Sequence, residues 1–104
     1  MYWDDALTRY DFGPSHPMNP IRIDLLMRLA EAMGVLAAVE VVPPTSATAA
    51  ELGRVHTTAF LDAVKQCSVP DSEGNVAHGI GTPDVPTFTD MHEVSSLIAG
   101  ATLG

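Results

Sequence analysis

The chain has 104 residues and a formal net charge of −8, from 13 acidic against 5 basic side chains. A balance this acidic excludes non-specific binding to phosphate backbones, and the bases (Arg9, Arg22, Arg28, Arg54 and Lys65) form no stripe that could follow a nucleic acid. A hydrophobic fraction of 46% excludes intrinsic disorder, and the length suits one small domain or a piece of a larger one.

Cys67 is the single cysteine, so neither an internal disulfide nor a CxxC pair can form, which suits a reducing compartment. The opening segment carries Asp4 and Asp5 and no long apolar run, unlike a signal peptide. No stretch approaches the roughly 18 apolar residues of a membrane span. These features predict a cytoplasmic protein without membrane contacts.

Met1–Trp3 reads as a short strand, and residues 4–19 read as loop. The run Phe12-Gly13-Pro14-Ser15-His16-Pro17-Met18-Asn19-Pro20 holds three prolines. Proline fixes φ and restricts the residue before it, so this run is an ordered, kinked loop rather than helix or central strand. A helix follows, with Asn19 as N-cap and Pro20 at its first position. Ile21, Leu25, Leu29 and Met33 recur every fourth residue, Leu26 and Leu36 widen that face, and Gly34 ends the helix in the left-handed conformation.

Val39–Val42 is short and β-branched, and Pro43-Pro44 stops it; it reads as a strand. Ser46 or Thr48 caps the next helix, which runs to about Val55, and Thr48 and Glu51 have capping-box spacing. A further helix starts near Thr57 and turns Phe60, Leu61 and Val64 inward. Residues 68–88 form a long connection rich in Pro, Gly, Asp and Ser, of the kind that is functional or flexible. The last helix opens near Thr89 or Asp90. Asp90 and Glu93 again have capping-box spacing, and Met91, Val94, Leu97, Ile98 and Ala101 form the apolar face. The pattern runs on to Gly104 without a cap, and one clear strand cannot form a sheet, so the sequence reads as truncated.

The segment Tyr10–Arg22 resembles the opening loop of histone deacetylase-like proteins, especially the bacterial acetoin-utilisation deacetylases. Further features agree in order: the helix after that loop, the Pro43-Pro44 junction, the run Glu51–His56 ahead of Phe60, and Gly79-Ile80-Gly81-Thr82-Pro83-Asp84-Val85-Pro86-Thr87-Phe88 leading into the last helix. The resemblance covers essentially the whole chain. Thr82-Pro83 carries an apparent extra residue relative to the commoner pattern.

The resemblance implies an α/β class: the N-terminal part of an arginase/deacetylase-type fold, with a mainly parallel central sheet flanked by helices. Residues 1–104 would be the N-terminal portion of a single domain. It also implies a zinc-dependent deacetylase acting on an acetylated lysine side chain or an acetylated small amine. In that family two aspartates and a histidine hold zinc, a His-His pair handles protons and a tyrosine stabilises the oxyanion. This chain has no His-His dipeptide and no Asp-x-His, so it supplies no metal ligand and no catalytic residue, and alone it should be inactive.

Carried over residue by residue, Arg22 matches an arginine at the foot of the active-site tube, on the path by which acetate leaves. Its guanidinium offers a carboxylate product a planar fork of donors. The competing reading is an exposed first-turn arginine. Asp84 matches a rim aspartate that accepts hydrogen bonds from the substrate backbone; the competing reading is a turn residue between prolines. Pro17 and Met18, with His16, match the loop that walls the tube, and His16 alternatively braces the loop backbone. His56 reads as a helix-junction histidine bonded to backbone, His78 and His92 as surface residues, Cys67 as a small core hydrophobe, and Trp3 and Phe60 as core.

Two other function classes compete. One is a non-catalytic, truncated or degenerate domain that serves as a binding or scaffold piece. The other is an unrelated small α/β interaction domain with 68–88 as its partner-binding loop. Convergence of the first loop and the Asp84 loop on one rim favours the deacetylase reading.

Overall fold

The two segments predicted to be strands pair with each other. In the computed structural model, which describes residues 1–104, Tyr2 and Val42 form one parallel bridge. Trp3 N donates to Val42 O at 2.9 Å and Val42 N to Met1 O at 2.9 Å. The terminal ammonium also reaches Glu40 O. No third extended segment joins the pair, so the expected mainly parallel sheet is represented here by a single bridge; the helical elements dominate.

Helix α1 (Ile21–Ala32) begins one residue later than expected, with Pro20 just outside it. Asn19 Oδ1 accepts from Ile21 N at 3.0 Å, an N-cap bond, and Gly34 closes the helix at φ 75°. The predicted apolar stripe, however, faces solvent: Ile21, Leu25, Leu26, Leu29 and Met33 are 53–70% exposed, and α1 buries no residue fully. An exposed apolar face of this kind is uncommon on a monomeric protein.

Helix α2 (Ala49–Leu52) has the predicted capping box. Thr48 Oγ1 accepts from Glu51 N, and the Glu51 carboxylate accepts from Thr48 N at 2.7 Å. The helix stops at Leu52 rather than Val55, because the chain tightens into turns before Thr57 caps α3 (Thr58–Gln66) through Phe60 N.

The core lies where α3, the 68–88 connection and α4 (Met91–Leu103) meet. Ala63, Cys67, Ile80 and Met91 are buried together, with Phe60, Val64 and Phe88 packed against them. Cys67 is the small buried hydrophobe predicted, whereas Trp3 is only half-buried. The 68–88 connection is more structured than its composition suggests. Asn75 and Ile80 exchange two backbone hydrogen bonds across the short turn Val76–His78, and Ile80, at 2% exposure, is the most deeply buried large side chain. Gly74, at φ 80°, lets that turn close: a Cβ there would stand 2.7 Å from Ile80 O.

Helix α4 starts where the sequence predicts, after Asp90, but its cap differs from the predicted one. Asp90 is left-handed at φ 61° and caps nothing with its side chain. Ser68 does the capping from α3's end: its carbonyl accepts from Asp90 N and its hydroxyl from His92 N at 2.9 Å. Met91 and Val94 are buried as predicted, but Leu97 and Ala101 are half-buried and Ile98 is exposed. The small residues Ser96 and Gly100 are buried instead, against the 45–47 segment.

Candidate functional site

Two loops far apart in sequence converge. The kinked loop 12–20 enters α1 and the loop 81–88 enters α4, and His16 joins them. Its Nε2 lies 3.0 Å from Asp84 O, and its Nδ1 accepts from Met18 N at 3.0 Å. The alternative in which His16 braces its own loop therefore describes half of what it does; the other half is a link to the second loop.

Aromatic rings fill the junction. Phe12 packs edge-on against Phe88 at 5.4 Å and lies 4.9 Å from the His16 ring and 6.0 Å from Tyr10. Phe12 borders three cavities, of which two are mainly apolar. The larger, about 530 Å³, is walled by Tyr10, Met18, Ile23, Phe88 and Ile98 and has Arg22 in its lining. The smaller, about 300 Å³, is lined by Phe60, Ile80, Met91, His92 and Ser95 among others.

Of the residues singled out from sequence, Met18 and Arg22 sit together on the larger cavity, with Arg22 Nη2 3.6 Å from Met18 Sδ. Pro17 is exposed on the first loop, and Asp84 is exposed on the second, with its main-chain carbonyl held by His16. Neither lines the larger cavity. The His56 ring makes no hydrogen bond to backbone and stacks on Phe60 at 5.0 Å, while the main-chain N of His56 donates to Leu52 O. His78 is exposed, as predicted. His92 is half-buried on the smaller cavity rather than on the surface.

Sequence reading assigned no role to Phe12, Tyr10 or Phe88, which hold the junction. The available signal was an aromatic on each of two turn-rich segments, since such residues cross-pack when their loops meet.

A zinc centre of the kind the resemblance implies needs three or four converging donors. No three side chains of His, Cys, Asp or Glu come together in this structure, and no buried polar side-chain atom lacks a partner. The residues present do not form a metal site.

The histone deacetylase domain model matches residues 16–104. The chain is 37% identical over 97 residues to the acetoin utilization protein AcuC of Bacillus subtilis (strain 168), covering 90% of this chain and 25% of that protein. It is 28% identical over 103 residues to the AcuC of Staphylococcus aureus (strain MRSA252), covering 97% of this chain and 26% of that protein. It is 26% identical over 107 residues to the histone deacetylase clr6 of Schizosaccharomyces pombe, covering 99% of this chain and 26% of that protein. The chain thus spans about a quarter of the length of these relatives. With the match running from the His16 loop through α4, the chain belongs to the histone deacetylase domain family.

Proposed function

We propose that residues 1–104 are the N-terminal portion of a zinc-dependent deacetylase domain that hydrolyses the acetyl amide of acetyl-lysine or of a related acetylated amine. The observation that carries this reading is the His16 link, which brings the loop of Pro17 and Met18 onto one rim with the loop of Asp84. Asp84 extends an exposed carboxylate that can accept N–H groups from a substrate backbone. Pro17 and Met18 offer an apolar wall suited to the aliphatic stem of an acyl-lysine. Arg22, on the adjoining cavity, can receive a carboxylate product through its planar fork.

This chain does not gather a metal's donors, so the zinc and the proton-handling groups belong, on this reading, to the remainder of the domain. Residues 1–104 supply binding and orientation and are inactive alone. The acidic surface makes nucleic acid an unsuitable partner. No helix is long and apolar enough to cross a membrane, and the reading assigns the protein to the cytoplasm.

The lack of a donor cluster also supports a second reading, a non-catalytic binding or scaffold piece. One assay separates the two. The full-length protein, supplied with zinc, should release acetate from an acetyl-lysine peptide. No turnover, under conditions in which a family enzyme is active, would leave the non-catalytic reading.

A further inference from the structure

Asp84 can present its carboxylate at one place only if its loop is held there. Within that loop Gly81 N donates to Val85 O, and Val85 N donates to the Thr82 carbonyl and hydroxyl. These bonds shape the loop without attaching it to anything else. Beside the Phe12–Phe88 contact, the hydrogen bond that attaches it to the opposite loop is the one from His16 to Asp84 O, across 68 residues of sequence.

The chemistry of the imidazole fixes what that bond is. Met18 N–H can only donate, so Nδ1, its acceptor, carries no proton. The carbonyl of Asp84 can only accept, so Nε2 must carry one. Both bonds form together only in the neutral Nε2–H tautomer, and the Phe12 ring packed at 4.9 Å restricts rotation away from it.

We propose that His16 is a positioning residue: as the neutral Nε2–H tautomer it clamps the Asp84 loop to the Pro17–Met18 wall, and so fixes the carboxylate that orients the substrate. The inference rests on the reading of Asp84 as a substrate acceptor. It takes His16 beyond wall or local brace and makes it a determinant of substrate affinity that touches no substrate itself.

The test uses the metal-loaded full-length protein and an acetyl-lysine peptide. His16→Asn keeps an acceptor for Met18 N–H but is too short to reach Asp84 O. His16→Gln keeps a donor at the reach of Nε2. The Asn variant and His16→Ala should raise KM by about tenfold, the scale of one lost hydrogen bond, with kcat nearly unchanged. The Gln variant should recover most of that loss. A wild-type KM for the Asn variant, or a Gln variant as impaired as Ala, overturns the proposal. Asp84→Ala distinguishes the two layers: a KM it leaves unchanged sinks the substrate reading itself, whereas a raised KM beside an unaffected Asn variant sinks the clamp alone. Ring nitrogen shifts in the wild-type protein give a readout independent of turnover. A protonated Nε2 with a bare Nδ1 is expected, and a mixture of tautomers overturns the clamp.

Discussion

Gly100 lies directly against the carbonyl of Thr45. A Cβ on Gly100 would overlap that oxygen and stand 2.7 Å from Ala47 N, so α4 and the 45–47 segment approach as closely as backbones allow. Ala47 N also donates to Ser96 O at 2.9 Å, which locks the approach. Because the obstacle is backbone, Gly100→Ala cannot be absorbed by a rotamer change. The expected cost is about 1–3 kcal/mol of unfolding free energy, despite alanine's better helix propensity, read as a lower denaturation midpoint in the full-length protein. A stability equal to or above wild type would mean that the helix sits further from the 45–47 segment.

Glu51 should titrate low. Its carboxylate accepts from Thr48 N and from the Thr48 hydroxyl, and the Arg54 guanidinium adds attraction; together these hold the carboxyl below the ordinary value of 4.5. The unfolded chain therefore binds this proton more readily than the folded one. The stabilisation is complete above the ordinary value and disappears as the pH falls through the lower, folded value. An NMR titration should find the Glu51 midpoint below the usual glutamate range, and Thr48→Ala should move it back up. An unshifted midpoint in the wild type would remove the capping box as an electrostatic contributor.

Ser68 and Asp90 should respond oppositely to substitution. If Ser68 supplies the hydroxyl that holds His92 N, Ser68→Ala should cost about 1 kcal/mol, as cap removals do. Asp90 makes no cap bond and bears the strain of φ 61°, so Asp90→Gly should be neutral or stabilising. Were Asp90 the working cap, removing its side chain would cost stability while Ser68→Ala would not, and chemical denaturation of the two variants separates these cases.

That pair also marks where sequence stopped being informative. Caps whose partners lie within one turn were legible: Thr48 with Glu51, Asn19 with Ile21, and Gly34 as a helix stop all follow from local chemistry. The cap of α4 was not, because Asp90 and Glu93 have the right spacing while the oxygen comes from Ser68 on another element. The burial of Ile80 was hidden in the same way, since the turn that presents it depends on Gly74 and Asn75 acting across a run of loop-like composition. At the candidate site, the loop motifs pointed to the right segments, but the spacing of His16 and Asp84 along the chain contains nothing about their meeting. The predicted sheet could not be judged from two short strands that pair only with each other.

The exposed stripe of α1 gives a test of the proposal that this chain is part of a larger domain. Leu25, Leu26 and Leu29 stand 56–58% exposed here, although their spacing is that of a core-facing helix. A leucine that stays in solvent contributes little, and its replacement changes stability by no more than about 0.5 kcal/mol. A leucine covered by the rest of a domain costs about 2–5 kcal/mol when cut to alanine, because burial is lost and a cavity remains. Leu29→Ala in the full-length protein should therefore show the larger loss in a denaturant titration. The smaller value would mean that α1 keeps its apolar face in water in the complete protein, and the reading of residues 1–104 as one portion of a single packed domain would fail.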